Sequence, residues 1–236
     1  MLNVKIVSTG NEELDQKLAG GLPIPSLIVV EGEHGSGKTV LVQQFIYGAL
    51  KSNLRVVVIA TETTTIGYVR AMMNVGFNVV EEYLKGKLNI YSTQIPRVKW
   101  VSSTSRDLLG LTLNHMVKSI DKYDVYVIDS FSILIEGSKL EDIANFLTTT
   151  KKIVDRGKQV ILTIHPGEIA ESIYVNLKAI ADGYIVLKNV EMGGKALKAM
   201  NIIKMKGIPT VFENVITFDV DPAFGIKLVP MALAKV

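Results

Sequence analysis

Apolar positions fall into two kinds of stretch that alternate along the chain. Short, nearly unbroken runs dense in Val and Ile occupy residues 27–31, 55–61, 87–91, 124–129, 159–164 and 184–187. A strand with one wet face alternates apolar and polar residues, whereas an unbroken run is buried on both faces. These runs therefore predict a parallel sheet covered by helices. Between them, residues 40–50, 66–75, 108–120, 140–156 and 169–181 carry apolar positions at helical spacing. Gly157 directly follows one of these and reads as a helix stop. Strand and helix in repeated alternation predict a doubly wound α/β core. The C-terminal part differs. Residues 196–204 and 215–220 read as strands with no helix between them, with turns at Gly207-Ile208-Pro209 and Asp221-Pro222. Antiparallel strands extending one edge of the sheet are expected there. No repeat or low-complexity linker divides the chain, so residues 1–236 are read as one domain.

Composition narrows the class. The chain has 236 residues, of which 48% are hydrophobic, enough for a large core and unlike a disordered segment. No apolar run approaches the ~20 residues of a membrane span. Met1-Leu2-Asn3-Val4-Lys5 lacks the layout of a signal peptide. The absence of cysteine excludes a disulfide framework and a thiolate site, and an intracellular protein is the simplest expectation. The net charge of +3 is mildly basic and short of a nucleic-acid footprint, so no nucleic-acid partner is expected. The densest cations are Lys195, Lys198, Lys204 and Lys206, which fit a solvated strand surface as well as a binding patch.

Gly32-Glu33-His34-Gly35-Ser36-Gly37-Lys38-Thr39 has the spacing G-x-x-x-x-G-K-[ST], between an apolar strand and a helical run. That context makes it a phosphate loop. Its glycines, Gly32, Gly35 and Gly37, allow the backbone to curl so that N–H groups, Ser36 among them, face phosphate oxygens. Lys38 is expected to reach the β- and γ-phosphates of ATP, and the Thr39 hydroxyl to ligate Mg²⁺.

Three polar residues stand at the ends of predicted strands, where an α/β sheet presents its ligand crevice. Asp129 is expected to hold Mg²⁺ through water, or to cap a turn. Glu62 is a candidate general base for an attacking water, or a capping partner among Thr63, Thr64 and Thr65. His165 is a candidate sensor of the γ-phosphate, or a satisfied buried imidazole. His34 lies at a variable position of the loop, and His115 falls in a helical run and reads as structural.

The segment Ser8-Thr9-Gly10-Asn11-Glu12-Glu13-Leu14-Asp15, then Gly20-Gly21-Leu22-Pro23, then the phosphate loop, closely resembles the opening of RecA-superfamily ATPases of the KaiC type. Lys204-Met205-Lys206-Gly207 resembles a KaiC-type Lys-x-Arg-Gly segment that reaches the neighbouring subunit's nucleotide. Within that group, Glu33–Thr39, Thr61-Glu62-Thr63-Thr64 and Thr163-Ile164-His165-Pro166 look like the FlaH (ArlH) family of archaellum accessory ATP-binding proteins. The resemblance covers nearly the whole chain. It implies a RecA-like, mainly parallel sheet with helices on both faces, and ATP with Mg²⁺. It further implies a homo-oligomeric ring, hexameric by the family's habit, in which Lys204 and Lys206 act in trans. As partners it implies the motor ATPase FlaI and scaffold ring proteins, in the cytoplasm at the membrane base of the archaeal flagellum. Two departures speak against fast turnover. KaiC-type sites carry two adjacent acids where Glu62 stands alone, and Lys206 replaces an arginine, keeping charge but losing the bidentate fork. Three readings remain: an ATP-switched assembly factor, a turning-over ATPase (ring motor or recombinase-like), and an autokinase whose usual second domain is missing.

Overall fold

The chain is described by a computed structural model covering residues 4–94, 102–208 and 213–230. Met1–Asn3 and Pro209, on which two of the sequence expectations rest, lie outside those residues. The elements in chain order are β1 (Lys5–Val7), α1 (Glu12–Lys17), β2 (Leu22–Ile24), β3 (Ser26–Gly32), α2 (Lys38–Lys51), β4 (Val56–Ala60), α3 (Thr65–Asn74), α4 (Val80–Leu84) and β5 (Leu88–Ser92). They continue with α5 (Ser102–Lys118), β6 (Val125–Asp129), α6 (Phe131–Leu134), α7 (Leu140–Asp155), β7 (Gln159–Ile164), α8 (Glu171–Ile180), β8 (Gly183–Met192), β9 (Lys195–Met205), β10 (Val215–Asp221) and β11 (Gly225–Leu228).

The main sheet has the order β11-β10-β9-β8-β3-β7-β6-β4-β5. From β8 to β5 every pairing is parallel. From β8 to β11 every pairing is antiparallel. This is the expected doubly wound, mainly parallel sheet with an antiparallel edge. The apolar runs divide by parity between two cores. Ile28, Val30, Val56, Val58, Val125 and Val127 face α2 and α3. Leu27, Val29, Val57, Ile59, Tyr126 and Ile128 face α5, α7 and α8. Both faces being buried is why these strands read as continuous rather than alternating.

Some elements carry no clear signal in the sequence. The strand expected at 184–187 runs on to Met192, because its polar end pairs with β9 as a hairpin, Met192 opposite Lys195. The short β11 and the separate β1–β2 ribbon are set by tertiary pairing, with Val7 opposite Leu22. The helix expected at 108–120 begins earlier, at Ser102. The pattern Lys204-Met205-Lys206 reads in the sequence as two lysines on one strand face with an apolar residue between them, and that expectation is corrected: Lys206 is not on the strand with Lys204. β9 ends at Met205, whose side chain is buried, and the turn begins at Lys206.

The N-terminal residues that carry the resemblance do structural work. The Asp15 carboxylate accepts the Thr9 N–H at 2.7 Å and the Ser8 hydroxyl at 2.5 Å. Gly21 has φ +132°, and a Cβ there would lie 2.1 Å from the Val7 carbonyl oxygen, so only glycine fits.

Candidate nucleotide site

β3 delivers the chain to Gly32, and α2 starts at Lys38, so the loop between them lies at the carboxyl edge of the parallel strands. Gly35 and Gly37 have φ of +73° and +94°. No side chain caps α2 at Gly37. Its first N–H groups are therefore unclaimed by a cap, and the helix dipole adds positive potential at the same end. The Ser36 Oγ is buried without a hydrogen-bond partner. A Cβ on Gly32 would meet that oxygen at 2.4 Å, so the loop closes this tightly only around glycine. Anion binding suits all of these features.

Lys38 is 6% exposed. Its ammonium donates to the Gly32 carbonyl at 2.6 Å and the Glu33 carbonyl at 2.9 Å, and meets His165 Nδ1 at 3.2 Å. Burial pushes its pKa down, partly offset by the charges of Glu62 and Asp129. An anion bound beside this desolvated ammonium would stabilise its charged form and oppose that downward shift.

Asp129 ends β6, buried at 6% exposure. Its Oδ1 accepts the Thr163 hydroxyl at 2.7 Å, and the Tyr68 hydroxyl lies 3.5 Å from Oδ2. Burial raises its pKa, against the lowering influence of hydrogen bonds from Thr163 and Thr39. A divalent cation beside it would favour the ionised form, and the carboxylate and hydroxyl oxygens of Asp129 and Thr39 match the hard-oxygen preference of Mg²⁺. The peptide bond from Asp129 to Ser130 is cis. Asp129 caps no helix: α6 begins after Ser130 without a side-chain cap.

Glu62 caps no helix either. The Thr64 side chain accepts the Gly67 N–H and so caps α3. Glu62 Oε1 instead lies 3.0 Å from His165 Nε2. His165, at the end of β7, is 3% exposed, and its backbone N–H donates to the Ser132 hydroxyl at 2.9 Å. It is both a satisfied buried imidazole and a link between Lys38 and Glu62.

Lys38, Thr39, Glu62 and His165 line one pocket of about 380 Å³, together with a residue that the sequence placed in a different group; Asp129 is buried and not part of that lining. Lys198, on β9, lies across the loop. A Cβ on Gly37 would be 2.9 Å from its Cδ and 3.6 Å from the Phe218 ring. In the sequence Lys198 is one of four clustered lysines, and nothing but the folding of β9 against the loop separates it from the others. Lys204 lies outside this pocket. Its ammonium donates to the Lys178 carbonyl at 2.8 Å, and burial together with Lys206 lowers its pKa. His115 lies on α5 with its ring edge-on to Tyr91, centroids 4.9 Å apart. Among the described residues, no helix is long and apolar enough to cross a membrane.

A family profile described as "ATPase: KaiC" matches residues 7–232. The chain is 36% identical to the archaeal flagellar ATP-binding protein FlaH of Sulfolobus acidocaldarius, over 98% of this chain and 99% of that protein. The crystal structure of the flagellar accessory protein FlaH from Methanocaldococcus jannaschii superposes with a TM-score of 0.85 at 25% identity, covering 97% of this chain and 100% of that one. A KaiC-like protein from Pyrococcus horikoshii shares the fold, with a TM-score of 0.76 at 23% identity and coverage of 97% and 100%.

Proposed function

The chain belongs to the KaiC-like ATPases of the RecA superfamily, in their FlaH group, and from that premise we propose that it is an ATP-binding assembly component of the archaeal flagellum motor. Nucleotide occupancy is the switch, and hydrolysis by the protein alone is slow or absent. The observation that carries this reading is the single pocket in which Lys38, Thr39, Glu62 and His165 converge on an uncapped helix N-terminus, with Asp129 buried within reach of Thr39.

Gly32, Gly35, Ser36 and Gly37 cradle the phosphates through backbone N–H groups, and Lys38 supplies the point charge on the β/γ end. Thr39 and Asp129 would hold Mg²⁺, which would supply positive charge against the phosphates when bound. Lys198 adds a second cation from the antiparallel edge of the same chain. Glu62 is the candidate base and His165 the candidate γ-phosphate sensor. Their mutual hydrogen bond supports slow turnover: it engages one oxygen of the Glu62 carboxylate and favours its ionised form, which makes it a weaker base toward water. Residues 1–236 work as one domain. Lys204 and Lys206 reach a neighbour's nucleotide in a homo-oligomeric ring of the hexameric kind. Lys204 must first release the Lys178 carbonyl, which ties trans contact to a small movement at the end of α8. The ring works with the motor ATPase FlaI and scaffold ring proteins, on the cytoplasmic side at the membrane base.

Light scattering with and without Mg-ATP, on wild type and on a Lys204→Ala/Lys206→Ala double variant, tests the switch. Wild type grows in mass with ATP and the double variant does not. Phosphate release measured alongside stays far below the ~10 s⁻¹ typical of enzymes. Several turnovers per second without partners would reassign the protein to the hydrolysing ring ATPases. Identical nucleotide-dependent growth in both proteins would leave the two lysines as protection of the sheet edge.

A further inference from the structure

Two histidines and a glutamate meet at the rim of the phosphate pocket, each from a different local setting. His34 comes from the phosphate loop, His165 from the end of β7, and Glu168 from the turn that follows. One atom able to ligate a metal from each of the three lies within 4.8 Å of the others. His34 Nε2 is 3.1 Å from Glu168 Oε1, the two imidazole centroids are 4.1 Å apart, and Glu62 Oε1 is 3.0 Å from His165 Nε2. We propose that His34, His165 and Glu168 form a binding site for a divalent cation of the zinc class.

The donor set decides the class of ion. Two imidazole nitrogens with carboxylate oxygens suit Zn²⁺ and its neighbours, whereas Mg²⁺ takes oxygen ligands and is served by Thr39 and Asp129. His165 is the fixed anchor, its side chain 4% exposed. His34 and Glu168, at 73% and 42% side-chain exposure, are free to close in. Bonds of ~2.0–2.1 Å around a tetrahedral ion place ligand atoms roughly 3.4 Å apart, so closure asks for little more than an ångström of movement by these two side chains. An exposed His–Glu pair by itself contributes little. The site differs from such a pair in the buried second imidazole facing it.

The chemistry couples this site to the loop. Lys38 donates to His165 Nδ1, which places the ring hydrogen on Nε2, toward Glu62. A metal on Nε2 replaces that hydrogen. The ring then carries its proton on Nδ1 and no longer accepts from Lys38. Metal and Lys38 thus compete for His165, and a bound ion fastens the phosphate loop to the turn after β7.

The test uses nucleotide-free protein in Mg²⁺-free buffer, so its outcome is independent of the ATP reading. Co²⁺ is titrated while the visible bands of a tetrahedral ion are followed, and Zn²⁺ is titrated by calorimetry. One ion per chain is expected. Affinity falls at least about tenfold in His34→Ala and in Glu168→Gln, on the scale of a lost metal-site contact, with the metal-free melting curve unchanged. Glu168→Gln keeps wild-type affinity for Mg-ATP, since Glu168 belongs to the metal site and not to the phosphate cradle. Fewer than one ion per chain in wild type, or wild-type metal affinity in either variant, overturns the proposal.

Discussion

Replacing Lys38 with alanine abolishes measurable ATP binding and leaves the fold intact. The ammonium is buried at 6% exposure, and Glu62 and Asp129 supply negative charge around it. Without Lys38, those carboxylates would repel the phosphates with no cation of the loop between them. Truncating one partner of a buried charge pair costs about 2–5 kcal/mol, much of it from the charge left unpaired. At 1.4 kcal/mol per factor of ten, that is roughly 30- to 4,000-fold in affinity. Stability moves the other way or not at all. Burial holds the lysine pKa down, which means the folded state carries its charge at a cost, and alanine removes the cost. Calorimetric titration with Mg-ATP reads the first effect and a thermal melt of the free protein reads the second. Unchanged ATP affinity in Lys38→Ala would mean that the loop does not hold phosphates.

Gly48→Ala is expected to destabilise the protein, although an isolated helix predicts the opposite sign. In the interior of α2, alanine is favoured over glycine by about 1 kcal/mol. Here the N-terminal segment crosses the helix at Gly48. A Cβ would lie 2.2 Å from the Thr9 carbonyl carbon and 2.3 Å from the Ser8 oxygen, both backbone atoms that cannot swing aside. The crossing is tied nearby, where Gln44 Nε2 donates to the Thr9 carbonyl at 2.9 Å. Forcing the segments apart costs about 1–3 kcal/mol and sometimes more, so after the helix gain is subtracted the net expectation is a loss of about 1 kcal/mol. For a chain of this size that lowers the melting temperature by roughly 2–4 °C. A thermal melt showing a gain would mean that the crossing segment lifts away without loss.

The two variants also divide what was legible in the sequence from what was not. Lys38 announces itself, because a phosphate loop needs fixed residue types at fixed spacing within one local turn. Gly48 does not, because its reason is a connecting segment nearly forty positions earlier, after β1, that packs on it. Asp129, Glu62 and His165 lie between these cases. Each was visible as a polar residue ending an apolar run, and strand ends are where an α/β sheet gathers its ligand groups. Their pairing was not visible. Nothing in Thr61-Glu62-Thr63 or Ile164-His165-Pro166 says that Glu62 bonds the imidazole rather than capping α3.

The sequence by itself determined the phosphate loop, the six buried parallel strands and the change to antiparallel pairing after β8. Each of these is written in residues that are neighbours in the chain, and burial on two faces leaves a local pattern that needs no partner to be read. Only the tertiary structure decided which chemistry shares a pocket. β9 turns back along β8 and lays Lys198 across Gly37, while Lys204, on the same strand, is drawn to the end of α8. The loop of His34 and the turn of Glu168 meet over His165 because β3 and β7 are adjacent and parallel, with Glu31 opposite Ile164. Contacts of this kind depend on strand order and register, which join distant residues, and no spacing along one chain records them.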